Sequence, residues 1–136
     1  YTTLFRSPIY TDRFCQLNTE VFRLSESLFD RKGETDEEEA SLCLALLMGY
    51  RATAYSDSNK EAKIQGILDR AFIVLDHLDD SVLKCRLLLS CYDEVFDEEL
   101  IEEIRRIVDG WGGGRQLSSE EGTVVEALKE LEDGRL

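Results

Sequence analysis

The sequence predicts an all-α protein, a compact single-domain bundle of five or six helices around an apolar central helix. Apolar residues recur at intervals of three and four along most of the chain, which is the spacing of one helix face. No segment alternates apolar and polar residues as a half-buried strand does. The 136 residues include a single proline, whereas all-β proteins carry many turn signals.

The first predicted helix has one apolar stripe. We expect Thr11 or Asp12 to cap its N-terminus. The segment Asp30–Glu34, which contains Gly33, is typical of a turn and should end the element. The stripe consists of Phe14, Leu17, Val21, Leu24 and Leu28.

The second helix is predicted to start after Thr35, because Thr35 and Glu38 have the spacing of a capping box. The acidic run Asp36–Glu39 suits the positive end of the helix dipole, which explains it without catalysis. The residues that follow, ASLCLALLMGY, are apolar on nearly every face, so we expect this helix at the centre of the bundle. Gly49 should allow a close backbone approach or a local bend.

The third helix is predicted to follow a loop at 56–59, with Asn59 as its N-cap. Gly66 inside this helix costs about 1 kcal/mol relative to alanine, so we expect a neighbour to press close there. Its apolar stripe consists of Ile64, Ile67, Leu68, Ala71, Phe72, Leu75 and Leu78.

Two further helices are predicted before the glycine-rich segment. The residues 79–81 can cap a fourth helix, roughly Val82–Tyr92, and Asp97 can cap a fifth. Gly110 should end the fifth helix. The buried face of the fifth helix is expected to be Leu100, Ile101, Ile104, Ile107, Val108 and Trp111.

A glycine-rich connector, Gly112–Gly114, precedes a last short helix. Ser118 and Glu121 have capping-box spacing at its start, and Val124, Val125, Leu128 and Leu131 form its apolar stripe. We assign residues 1–111 to a helical core and residues 112–136 to the same domain.

The charge is strongly acidic and uneven. The net charge is −13, and residues 93–136 contribute −9 of it, with 14 acidic and 5 basic side chains. We therefore expect no direct binding to nucleic acid or to an anionic membrane, since both need concentrated positive charge. A basic protein is a suitable partner. The acidic face expected to bind it is Asp93, Glu94, Asp97, Glu98, Glu99, Glu102 and Glu103. The simpler interpretation is a solvated face that keeps the domain soluble.

An exposed apolar groove is an alternative binding surface. Tyr50, Tyr55, Tyr92 and Phe96 lie at predicted helix ends or loops, where aromatic residues often anchor interfaces. Each of them can equally belong to the edge of the core.

No pattern typical of catalysis or metal binding is found, so we expect no enzyme, no cofactor and no metal. The single histidine, His77, lies in no nucleophile or zinc motif, and Val74 stands where a di-iron bundle needs glutamate. No Cys-x-x-Cys pair occurs, and we expect reduced thiols, buried at Cys43 and Cys85. The cysteines are Cys15, Cys43, Cys85 and Cys91.

The targeting features are those of a cytoplasmic protein. No secretory signal is visible, and the longest apolar run, Leu42–Met48, is far shorter than the roughly 20 residues that cross a bilayer. The chain begins with Tyr1 and not with methionine, so we expect its start to be trimmed.

Four long segments resemble the UpxZ family. The resemblance spans about Ser7 to Trp111 and is weaker in the connector and the last helix. The segments are SPIYTDRFCQLNTEVFRLSESLF (7–29), EEEASLCLALLMGY (37–50), KEAKIQGILDR (60–70) and VLKCRLLLSCYDEVFDEEL (82–100).

The resemblance implies a regulatory role that the residues alone do not indicate. UpxZ proteins regulate capsular polysaccharide loci in gut Bacteroidales by blocking the NusG-like antitermination factors (UpxY) of other loci. We therefore expect this chain to inhibit such a factor by direct protein–protein binding. The family has no catalytic residues to carry over. The alternatives are a helical oligomerisation or scaffold module, with homo-oligomers possible, or a small helical enzyme or ligand carrier.

Overall fold

The computed structural model describes residues 8–53 and 58–134, and these residues form α-helices joined by short loops, with no strand among them. This confirms the predicted all-α class. None of the described helices is long and apolar enough to span a membrane. The helices are α1 (Pro8–Leu28), α2 (Asp36–Ala52), α3 (Ser58–Leu75), α4 (Val82–Val95), α5 (Glu98–Asp109) and α6 (Ser119–Gly134).

The helix α2 lies at the centre, as predicted, and packs against α1, α3 and α4. One row along it, Ser41, Ala45 and Met48, faces away from these neighbours and is exposed. Met48, in this row, is 50% exposed. The buried residues of α2 are Ala40, Cys43, Leu44, Leu46, Leu47 and Tyr50.

The predicted apolar stripe of α1 is only partly the buried face. Leu17 and Leu24 are exposed, whereas Ser25, which is outside the stripe, is buried. The reason is the crossing with α2, where Ser25 lies against Gly49. Two small residues let the backbones approach there, so the contact face is rotated away from the two leucines. The side chain of Phe14 lies outside the described residues.

The predicted caps of α1 and α3 are wrong. Thr11 and Asp12 lie inside α1, which begins at Pro8, and Asn59 lies inside α3, which begins at Ser58. The first helix begins three residues before Thr11, whereas the third begins only one residue before Asn59. Several polar residues near each start satisfy the same local pattern.

The other predicted N-caps are confirmed. The Thr35 side chain accepts a hydrogen bond from the N–H of Glu38 at 3.1 Å, although the Glu38 carboxylate accepts from the N–H of Glu34, one residue earlier than in a standard capping box. Ser118 and Glu121 form the full reciprocal pair at 2.9 and 3.1 Å. The remaining caps are Ser81 and Asp97, at the starts of α4 and α5.

The glycines differ in how closely other parts of the protein approach them. A Cβ at Gly49 would lie 2.3 Å from the Ser25 hydroxyl, which confirms the predicted close approach. At Gly66 the nearest atom is in the Phe29 ring, 3.9 Å away, which is ordinary contact, so the prediction of a tight neighbour there is wrong. Gly110 ends α5 as predicted, but with right-handed helical geometry.

The helices α5 and α6 extend the core on the far side of α4. Ile101, Ile104 and Ile107 are buried where α5 packs on α4. Val124 and Leu128 are buried where α6 packs on α4 and α5. The α4 helix runs to Val95, three residues beyond the predicted end, and this extension carries Asp93 and Glu94.

Candidate protein-binding surface

The seven predicted acidic residues lie in one stretch, 93–103, that includes the end of α4, the turn and the first half of α5. The α5 helix is amphipathic, and its isoleucines occupy the face against α4. Glu99 and Glu102 therefore point into solvent and are exposed. Five of the seven residues are thus exposed as predicted, whereas Glu94 and Glu103 are partly buried.

Three of these carboxylates form ion pairs with arginines, and each arginine is shared between two carboxylates. Arg51, at the end of α2, reaches Asp93 at 3.2 Å and Glu94 at 3.3 Å. Arg106 pairs with Glu103 and also with Asp80. Such pairs tie α4 and α5 to their neighbours and leave less net charge for a partner.

Asp97, Glu98, Glu99 and Glu102 form what we call the acidic corner. Asp97 accepts a hydrogen bond from the N–H of Glu99 at 3.0 Å, as an N-cap does. The Tyr92 hydroxyl lies 3.5 Å from the Glu98 carboxylate. Within the described residues, no lysine or arginine pairs with Glu99 or Glu102. Glu99 and Glu102 therefore give the acidic corner negative charge that faces solvent.

One aromatic residue lies beside the acidic corner. Of the four predicted aromatics, Tyr50 and Tyr92 are buried, Tyr55 is outside the described residues, and Phe96 is 70% exposed. Phe96 is the C-cap of α4 and has φ 55° and ψ 31°, the left-handed region, which costs a non-glycine residue about 1–2 kcal/mol. Its ring meets the Tyr92 ring edge-on at 5.9 Å.

The sequence could place Phe96 at a helix end but could not show that it is exposed. Tyr92 and Phe96 lie one helical turn apart and have similar surroundings in the sequence. Their different burial depends on the direction in which the chain leaves α4, which is set by the left-handed residue.

A separate apolar groove of about 430 Å³ lies between α2, α4 and α6. Leu44, Met48, Leu89, Val124 and Ala127 supply its apolar walls. The charged residues at its rim are of both signs: Arg51, Arg86, Asp93 and Glu120. Tyr50, Tyr92 and Phe96 do not line this groove, so it is not the groove predicted from the aromatic residues.

The residues considered for chemistry are dispersed. His77 is exposed just beyond the end of α3. Burial raises the pKa of the Cys43 and Cys91 thiols to about 12 and that of Cys85 to about 11, which leaves them protonated and weakly nucleophilic at neutral pH. In the described part of the chain, no group of three His, Cys, Asp or Glu side chains could hold a metal ion.

A family model and a solved structure both relate this chain to the same family. Residues 1–93 match the model of the UpxZ family of transcription anti-terminator antagonists. The fold is similar to the crystal structure of a transcription anti-terminator antagonist UpxZ from Bacteroides uniformis, with a TM-score of 0.82 and 44% sequence identity. That similarity covers 94% of this chain and 82% of the other. No curated protein matches the chain.

Proposed function

Because the chain belongs to the UpxZ family of transcription anti-terminator antagonists, we propose that it acts by binding an antitermination factor directly. The factor is a NusG-like protein of the UpxY type, encoded by a different capsular polysaccharide locus. Binding keeps that factor from supporting read-through of its operon. The protein thus acts in the cytoplasm, and its role requires no catalytic step.

The exposed negative charge of the acidic corner is the observation that supports direct binding. A protein that works on RNA polymerase near RNA often presents a basic surface. Exposed carboxylates such as those of Glu99 and Glu102 are complementary to such a surface. Electrostatic complementarity of this kind speeds encounter and selects among partners. It also discourages contact with RNA, whose phosphates carry the same sign of charge.

The direct mechanism is tested by titrating the purified chain with a noncognate UpxY factor at low and high salt. We expect binding at low salt that weakens as salt rises, because screening acts on exposed charges. Read-through supported by that factor in vitro should fall in parallel. Absence of binding at low salt, with both proteins folded, contradicts the proposal.

The contribution of the acidic corner is tested by the double charge reversal E99K/E102K. We expect binding to weaken by at least about tenfold and to lose most of its salt dependence, because attraction becomes repulsion at both positions. The matched control is E126K/E130K on α6, where both glutamates are exposed and the net charge changes equally. Equal losses in the two variants would indicate a general charge effect and place the binding surface elsewhere.

A further inference from the structure

Phe96 combines two properties that do not favour the fold. It is the most exposed of the large apolar side chains in the described residues. It is also the only described non-glycine residue with positive φ. Its backbone N–H donates to the Tyr92 carbonyl at 2.9 Å, a helix-ending bond that glycine would make without strain. The edge-on contact of the Phe96 ring with Tyr92 favours the fold, but the left-handed backbone costs a similar amount, so the ring adds little net stability.

The surroundings of Phe96 indicate the charge of its partner. The segment from 87 to 104 contains seven acidic residues and no lysine or arginine. Arg51 and Arg106 reach this stretch from outside it and contact Asp93, Glu94 and Glu103. The acidic corner follows Phe96 directly along the chain. A cation approaching the ring therefore meets additional carboxylates.

We propose that Phe96, together with the half-exposed Val95, is the anchor for a basic segment of the antitermination factor. An arginine of that segment lies over the Phe96 ring, and its guanidinium group faces the acidic corner. Cation–π contact and carboxylate pairing then act on the same group. This inference rests on the direct binding proposed above and adds the contact residue and the chemistry of the partner.

Charge disfavours the other possible occupants of this surface. A nucleic acid brings phosphates toward the carboxylates. A second copy of this chain, with a net charge of −13, brings the same acidic corner. A basic protein segment is the occupant whose charge is opposite to that of the surface.

The test uses the variant F96G and two measurements. Its binding is titrated with the same noncognate UpxY factor, and its stability is measured by thermal unfolding. We expect binding at least tenfold weaker while the unfolding midpoint stays unchanged or rises, because glycine adopts the left-handed conformation freely. A merely structural role predicts the opposite, a lower midpoint. The variant F96Y keeps an aromatic face and should bind nearly as the natural chain does, whereas F96L should not.

The control is I73A, which removes another strongly exposed apolar side chain, on α3, and should leave binding unchanged. If the natural chain binds and F96G binds equally well, the aromatic anchor is wrong while the proposed function stands. If the natural chain itself does not bind, the proposed function fails first. Equal losses in F96G and I73A would show a general apolar effect and overturn the anchor.

Discussion

At the scale of single residues, Glu39 and Arg70 show how a few charges fix the loop between α1 and α2. Two nitrogens of Arg70 donate to the Glu39 carboxylate, both at 2.9 Å. The same guanidinium reaches the carbonyl of Phe29 at 3.0 Å, and the N–H of Gly33 donates to Glu39 at 2.8 Å. Burial by itself would raise the pKa of Glu39, but the hydrogen bonds from Arg70 and Gly33 outweigh it and lower the pKa.

The variant E39Q tests this arrangement. We expect it to lower the free energy of unfolding by about 2 kcal/mol at pH 7, since hydrogen bonds to charged groups are the stronger ones. The lowered pKa means that ionised Glu39 stabilises the fold fully above its ordinary pKa of 4.5, and that this contribution declines as pH falls through the folded value. The difference in unfolding free energy between the natural chain and E39Q should therefore shrink below pH 4.5.

The control for this experiment is E37Q, two residues earlier, where the glutamate is exposed and a change within about 0.5 kcal/mol is expected. Denaturant unfolding from pH 7 to pH 3 gives all three curves. A difference between the natural chain and E39Q that stays constant over that range would show that the carboxylate charge is not what stabilises the loop.

At the scale of helices, the α1–α2 crossing depends on small residues, and α3 does not depend on its glycine. Ser25 is buried at the crossing, and its hydroxyl donates to the Val21 carbonyl at 2.9 Å. A side chain at position 49 must displace that hydroxyl. A side chain at position 66 meets only ordinary contact.

Replacing each glycine by alanine should thus have opposite effects. We expect G66A to raise the free energy of unfolding by about 1 kcal/mol, which is the helix propensity gained. We expect G49A to lower it by about 1 kcal/mol, because overpacking outweighs the same gain. In the S25A background, which lacks the hydroxyl, G49A should lose most of its penalty. Denaturant unfolding of G66A, G49A, S25A and S25A/G49A measures these changes. A G49A variant as stable as the natural chain would rule out a tight crossing.

At the scale of the whole molecule, one apolar core extends from α2 to α6 and includes three of the four cysteines. Cys43, Cys85 and Cys91 are completely buried, while Cys15 on α1 is exposed. The three buried thiols come from α2 and α4, the two helices with the most neighbours. Their exposure therefore requires the core to open.

Thiol reactivity should report this opening. With an aromatic disulfide reagent at neutral pH, we expect one thiol to react quickly in the folded chain and three to react only at the rate of unfolding. The variant C15S should remove the fast phase and leave the slow one. Two or more fast thiols in the folded protein would contradict the buried positions of the cysteines.

The acidic surface was only partly predictable from the sequence. Clustering of acidic residues between 93 and 103 is visible in the letters alone, and so is the amphipathic pattern that turns Glu99 and Glu102 outward. The ion pairs that Asp93 and Glu94 form with Arg51 were not predictable, because Arg51 lies on α2, more than forty residues earlier in the chain. The exposure of Phe96 depended on a single backbone conformation that phenylalanine rarely adopts.

The helices and most of their starts were predictable, because apolar periodicity and capping both act between residues three or four apart in the chain. The apolar character of α2 predicted its central place, but not that its row of Ser41, Ala45 and Met48 faces solvent. Helix packing settles which side of α1 is buried, which glycine is crowded and which carboxylates Arg51 and Arg106 reach. These depend on side chains distant in the chain that meet only when the helices pack.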